Sequence, residues 1–250
     1  VVKLDSENKG KINCLVCGND VVYLDRPVSV KCHYCGLEEE AYIYCKNDHY
    51  VCDKCHANDA LEIIENVCLN TDIEDPIEIA EILMEHPKIR MHGPEHHALT
   101  PAVLITAYQN YTGQKDQNAI LEGIKRGKKV PGGNCGFYGA CGGGLGVGIA
   151  VSVLLEATPL TPGPRSHASW ATSRALKVIA DAGGARCCKK AVRISLEEGA
   201  TYISDLFGID WGKELDTVIE CNYTLHNKEC DSNCRYRGKK DEVQFISVIC

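Results

Sequence analysis

The stretch CLVCGNDVVYLDRPVSVKCHYCGLEEEAYIYCKNDHYVCDKC, residues 14–55, carries Cys14-x2-Cys17, Cys32-x2-Cys35, Cys45, His49 and Cys52-x2-Cys55. A Cys-x2-Cys turn sets two thiolates on one side of a tight knuckle. Two knuckles complete a tetrahedral site with Zn–S bonds of about 2.3 Å. Gly18 and Gly36 each follow a knuckle, where a backbone turn with positive φ is easiest for glycine. The seven cysteines and His49 make eight ligands, enough for two zinc ions. The simple pairing takes Cys14, Cys17, Cys32 and Cys35 for one ion and Cys45, His49, Cys52 and Cys55 for the other; a cross-braced pairing is the alternative. His33 and His56 are competing donors, and His49 is preferred to His56 because His56 directly follows a ligand. Buried free thiols account poorly for the repeated knuckle spacing. An iron–sulfur site is the minor alternative, since closed sites of four cysteines, or three cysteines and a histidine, are the usual structural form of zinc. Such closed sites serve folding and recognition and leave no position for a substrate.

Outward from this module, the chain of 250 residues has room for a second domain of ordinary size, and 44% hydrophobic residues supply its core. The net charge of −7 argues against a nucleic-acid partner, because phosphate is met mainly by Lys and Arg. The chain has 16 cysteines and a polar start, Val1 to Gly10, that does not read as a signal peptide. That combination points to metal binding or thiol chemistry in a reducing, cytoplasmic setting. The longest apolar run, Leu145 to Leu155, is short of the roughly 20 residues that span a bilayer, so no membrane insertion is expected.

Helix signals dominate beyond residue 58. Asp59 with Glu62 opens a helix over Ala60 to Cys68 as a capping box, and Asp75-Pro76-Ile77-Glu78 opens another that ends near His86. Thr100-Pro101 opens a third through Tyr111 with Gly113 as its stop, and Asp116 caps a fourth ending at Gly127. Leu145 to Leu155 is apolar on all sides and reads as a buried central helix. Two more fall near Ser169 to Ala182 and Cys187 to Phe207. Thr217 to Cys221 and Val243 to Ile249 read as short strands flanking a polar, basic loop. The expected fold is therefore a small zinc-ribbon-like module (1–58), a mainly α-helical cysteine-rich domain (59–212) and a cysteine-containing extension with short C-terminal strands (213–250).

Several motifs carry chemistry in the helical part. His86, His92, His96 and His97 lie within twelve residues, and Glu95, His96 and His97 are candidate metal ligands or proton carriers. Cys135 and Cys141 sit in a glycine-rich run from Gly132 to Gly146, where a following helix start is expected to lower a thiol's pKa and to hold thiolate or an anionic cluster. Close helix packing through small residues is the structural alternative. A phosphate loop is not supported, because no Gly-x-Gly-x-x-Gly frame and no Lys-Ser/Thr follow. Cys187 and Cys188, between Arg186 and Lys189-Lys190, rarely bridge each other; the cations are expected to favour thiolate, with at least one of the two a cluster ligand or reactive thiol. Cys221, Cys230 and Cys234 form a further group whose Cys-x3-Cys spacing suits iron–sulfur ligation, with Lys228, Arg235, Arg237, Lys239 and Lys240 around it.

Taken together, Tyr50-Val51-Cys52-Asp53-Lys54-Cys55-His56, His92-Gly93-Pro94-Glu95-His96-His97, Cys135-Gly136-Phe137-Tyr138-Gly139-Ala140-Cys141-Gly142, Arg186-Cys187-Cys188 and Asn227-Lys228-Glu229-Cys230 resemble a cysteine-rich family of unknown function from anaerobic archaea and bacteria. The resemblance covers about residues 12–235. It implies an anaerobe such as a methanogen and, in some relatives, fusion to an S-adenosylmethionine-dependent methyltransferase, a module this chain lacks. It brings no activity. The residues themselves point to two zinc ions and an iron–sulfur cluster gathered by Cys135, Cys141, Cys187 or Cys188, and Cys230 or Cys234, with His96 or His97 nearby. The function expected is electron or sulfur transfer, or maturation of a cofactor or enzyme. A non-catalytic subunit docking on a larger complex and a cluster-free thiol oxidoreductase are the alternatives.

Overall fold

The computed structural model describes residues 14–238, apart from 15, 18, 20, 53, 54, 56–58, 214 and 216. The module is built on an antiparallel hairpin of β1 (Val21–Lys31) and β2 (Glu38–Cys45). Register runs from Val21 opposite Cys45 to Lys31 opposite Glu38, with a shift between Tyr23 and Val28. Pro27 lies in that shift, where its missing N–H costs no ladder bond. The hairpin turn is the second knuckle itself: Cys32 N–H donates to Leu37 O (2.8 Å) and Gly36, at φ +72°, donates to Cys32 O (2.9 Å).

The helical body follows as α1 (Ala60–Asn70), α2 (Pro76–Glu85), α3 (Glu95–Thr112), α4 (Gln117–Gly127), the single turn α5 (Asn134–Phe137), α6 (Gly142–Leu154), α7 (Pro162–Asp181) and α8 (Cys188–Phe207). The acidic caps act as the sequence suggests. Asp59 accepts from Leu61 and Glu62 N–H, Asp75 from Ile77 N–H and Asp116 from Asn118 N–H. Gly113 and Gly208 close α3 and α8 in the left-handed conformation.

Three helix starts differ from expectation. α3 begins at Glu95, so Pro101 lies inside it rather than opening it. Thr100 Oγ1 donates back to His96 O (3.1 Å), and α6 packs on this irregular turn through Gly146, where a Cβ would come within 2.7 Å of Thr100. α6 absorbs Gly142 to Gly144 into the helix, and α7 starts at Pro162. α6 lies against α3, α4, α7 and α8. Its glycines let backbones approach, as at Gly148, where a Cβ would stand 2.8 Å from Ala168 O of α7.

The core runs without a break from Cys32, Tyr34, Cys35, Cys52 and Cys55 through α1–α4 to α6, α8 and Trp211. His86, just past α2, joins the two parts directly, its Nε2 lying 2.7 Å from Cys55 O. No strand forms over residues 217–220; Cys221 makes a lone bridge with Arg237. The second expected strand, 243–249, lies outside the described residues. Among the described residues no helix is long and apolar enough to cross a membrane.

Candidate metal centres and thiol-lined clefts

Cys14, Cys17, Cys45 and His49 bring one ligand atom each within 4.8 Å of one another, and so do Cys32, Cys35, Cys52 and Cys55. The grouping is crossed, not sequential. Hairpin register is the cause: it sets Cys45 opposite Val21, beside the first knuckle, and a parallel bridge between Cys32 and Tyr50 carries the next segment past the second knuckle. His33 joins neither group; its Nε2 lies 3.5 Å from Glu85 Oε2. His56 lies outside the described residues.

Both donor sets fit a metal ion. N–H groups point at the sulfurs, from Cys52 to Cys32 Sγ (3.4 Å), Asn47 to Cys45 Sγ (3.4 Å) and Asn66 Nδ2 to Cys55 Sγ (3.1 Å). Such bonds favour thiolate. His49 Nδ1 is buried with no hydrogen-bond partner, inside its group of three thiols. In the all-cysteine group, hydrogen bonds with Cys35 and Cys55 drive the Cys32 thiol strongly down, and those with Cys32 and Cys35 drive Cys55 strongly up. Four adjacent thiols share their protons unequally; a bound cation is what allows every one to be a thiolate.

In the helical body Cys135, Cys141, Cys187, Cys188, Cys221, Cys230 and Cys234 line two adjoining clefts at the start of α8. The larger is a cavity of ≈ 430 Å³. Cys141 and Gly143 reach it from the start of α6, Cys187, Cys188 and Lys190 from the start of α8, Cys135 from α5, and His96 and His97 from the start of α3. Leu176 and Ile179 of α7 form its apolar wall. The two histidines are fixed alike. His96 Nδ1 lies 3.1 Å from Gly93 O and His97 Nδ1 2.9 Å from Val130 O. A carbonyl only accepts, so in both rings Nδ1 carries the proton. His96 Nε2 is buried and has no partner. Burial, then the nearby Lys189 charge, pushes His96 down to about 3, so its ring is neutral.

The smaller cleft is lined by Cys187, Cys221, Cys230 and Cys234, with Lys190, Arg193 and Arg237 among them. Cys187 and Lys190 line both clefts. Cys187 is the N-cap of α8, its sulfur accepting from Lys190 N–H (3.4 Å). Arg193 is bidentate on Glu81, Nε to Oε1 2.7 Å and Nη2 to Oε2 2.6 Å, with its side chain 1% exposed. Lys189, also buried, donates to Met84 O (2.5 Å) at the end of α2 and sits 4.2 Å from the Tyr223 ring centre.

Two expectations need correction. The single thiol centre divides: Cys135, Cys141 and Cys188 face the larger cavity, Cys221, Cys230 and Cys234 the smaller cleft, and Cys187 both. Nor do helix starts and cations win over desolvation. Burial raises the Cys141 and Cys187 thiols and takes Cys188 up to about 11. Among the described residues, only the two module groups gather three or more such donors within 4.8 Å, so the thiols of the helical body stand too far apart for one closed mononuclear site.

His92 and Glu95 have structural partners. His92 Nε2 lies 3.2 Å from Asn227 Oδ1, tying the start of α3 to the C-terminal loop. Glu95 accepts from Arg90 N–H (3.1 Å) and lines neither cleft. Cys68 is fully buried and its thiol is pushed up to about 12 by desolvation, as for a core residue. Sequence reasoning passed over Arg193 and Glu81 and took Lys189 only as a cation beside the thiols. A buried basic pair in α8 leaves one signal in the sequence, the helical spacing that aligns Lys189 and Arg193 with the apolar Leu196 and Ile203 on one face.

The chain belongs to the family of unknown function DUF5714, whose model matches residues 64–237. The match holds both thiol-lined clefts and begins after the cysteine module. No curated protein and no solved structure matches the chain.

Proposed function

We propose that this chain is a zinc- and iron–sulfur-binding protein of anaerobic metabolism. It carries electrons or sulfur, or serves the maturation of a cofactor or enzyme. The two crossed donor groups hold zinc and fix the module on the helical body. Cys187, Cys221, Cys230 and Cys234 hold the cluster. The observation that carries this reading is that four thiols from two distant segments line one cleft yet are not drawn to single-ion spacing. A polynuclear cluster bridges a wider set of thiolates than one ion does, and four cysteines are the usual ligand set of a [4Fe–4S] cluster. Lys190, Arg193 and Arg237 offset the negative charge of such a cluster, and a cluster overcomes the burial that otherwise keeps Cys187 protonated. When bound, the cluster supplies one-electron chemistry. Anaerobic purification with iron and sulfide analysis and EPR tests the reading. A brown protein whose iron is lost in Cys230→Ser supports it, and a colourless protein after reconstitution refutes it.

A second reading, a subunit docking on a larger enzyme, draws on Phe137 and Tyr138, which are 87% and 80% exposed beside the larger cavity. Stoichiometric recovery with one complex from native extract, lost in Phe137→Ser/Tyr138→Ser, would favour it.

A further inference from the structure

We infer that the larger cavity binds a small organic anion with an apolar body, such as a carboxylate, held between the uncapped start of α6 and Arg186. The inference does not rest on the cluster, because Arg186 and the start of α6 line the larger cavity alone. The start of α6 supplies the first observation. Gly142, Gly143 and Gly144 are all buried, no side chain caps the helix, and no carbonyl among the described residues takes their N–H groups. The Cys141 sulfur lies near the Gly143 and Gly144 N–H groups but does not reach capping geometry. Free N–H groups at the positive end of a helix are a place for an anion.

His96 supplies an independent second observation. It lines the same cavity with its side chain 1% exposed, its Nδ1–H is fixed on Gly93 O, and its Nε2 is buried without a partner. Such an orphan acceptor is costly unless a donor completes it, on a ligand or on a water that the ligand orders. Charge agrees. The chain carries a net −7, yet among the described residues no aspartate or glutamate lines the cavity, while Arg186 and Lys190 do. Lys190 Nζ donates to Gly183 O (2.7 Å) and has Asp231 of the smaller cleft nearby. Arg186 makes no ion pair among the described residues, so it is the cavity's own cation. Leu176 and Ile179 of α7 and Val192 of α8 give the apolar wall, against which the body of the anion rests. A volume of ≈ 430 Å³ falls in the range of small-molecule pockets.

Benzoate is the probe, with acetophenone as its neutral counterpart and acetate as the same charge without the ring. Titration calorimetry on anaerobically purified protein, with its own metals in place, measures binding. Benzoate should bind with one-to-one stoichiometry, and acetophenone and acetate each roughly tenfold or more weakly, for loss of the charge-assisted bonds and of the buried ring respectively. Arg186→Gln should weaken benzoate roughly tenfold. Ala180→Trp, which fills the cavity from an exposed position of α7, should abolish binding. Lys177→Gln, which removes a cation of α7 outside the cavity, should leave it unchanged. Circular dichroism identifies a variant that fails to fold, and the other variant then decides. Cys230→Ser removes a cluster ligand only and should retain benzoate; in that protein, free of a paramagnetic cluster, benzoate should shift the His96 Nε2 nitrogen-15 resonance. No benzoate bound by the wild type, acetophenone bound equally well, benzoate undiminished in either folded variant, benzoate lost in Cys230→Ser, or an unshifted His96 resonance would overturn the inference. Absence of iron from the wild type would refute the cluster while leaving the benzoate result to stand by itself.

Discussion

Replacing Glu81 by alanine strands a charge inside the protein. Arg193 is held by both carboxylate oxygens of Glu81, at 2.7 and 2.6 Å, and its side chain is 1% exposed. The pair ties α2 to α8, and Arg193 also lines the thiol cleft. Breaking a buried pair by removing one partner costs about 3–5 kcal/mol, because the remaining charge keeps its desolvation penalty. Glu81 is 23% exposed, so water reaches the vacated side and the cost falls at the low end, about 3 kcal/mol. In a chain of this size that lowers the unfolding midpoint by roughly 6–12 °C. Thermal unfolding followed by circular dichroism measures it, on samples of equal metal content, since metal loss would confound the midpoint. A double replacement, Glu81→Leu with Arg193→Met, removes both charges and should recover most of the loss. A midpoint for Glu81→Ala within about 1 °C of wild type would refute the reasoning, because it would mean that Arg193 is not desolvated.

Other outcomes follow from the same geometry. Gly142→Ala puts a methyl group onto the His97 imidazole, which Val130 O holds in place; urea unfolding should show a loss of about 1–3 kcal/mol. Gly136→Ala, which meets nothing within 4 Å, should be close to neutral in the same assay. His96, held down to about 3 mainly by burial, should appear in nitrogen-15 spectra as the neutral Nδ1–H form at pH 5. The unfolded chain then binds more protons than the folded one between about pH 3 and 6.5, so this group makes stability fall as pH drops through that window; a His96 signal titrating near pH 6.5 would contradict it. Stripping the module with a strong chelator should raise amide exchange in α1 as well as in the hairpin, because Cys32, Cys35, Cys52 and Cys55 share a core with Ile63, Ile64 and Val67. Unchanged exchange in α1 would show that the module folds independently.

Local chemistry was legible in the sequence where it acts over a few residues. Asp59, Asp75 and Asp116 cap helices because a carboxylate one residue before a helix satisfies its first free N–H groups, and Gly113 stops a helix by adopting positive φ. The eight donors of the module stood out because knuckle spacing is local. Their crossed grouping did not, since it follows from strand register between residues 21 and 45. Pro101 misled in the other direction: it reads as a helix start but lies inside α3, tolerated where Gly146 of α6 packs against the turn. Thr217 to Cys221 has the β-branched run of a short strand yet among the described residues finds only one bridging partner, at Arg237, and one bridge does not make a ladder. The thiols of the helical body were each visible. Their division between two clefts depends on how α3, α6 and α8 cross, and a single sequence does not report that. Burial, likewise invisible, reversed the expected lowering of the Cys141, Cys187 and Cys188 thiols.

The central claim is that the cleft of Cys187, Cys221, Cys230 and Cys234 holds a cluster while the module holds zinc. Metal and sulfide analysis of the anaerobically purified chain, beside a Cys187→Ser/Cys234→Ser variant, tests it most directly. The account predicts two zinc ions per chain in both proteins, with about four iron and four sulfide in the wild type only. Two zinc ions with no iron in the reconstituted wild type, or iron that survives loss of both cysteines, would contradict it.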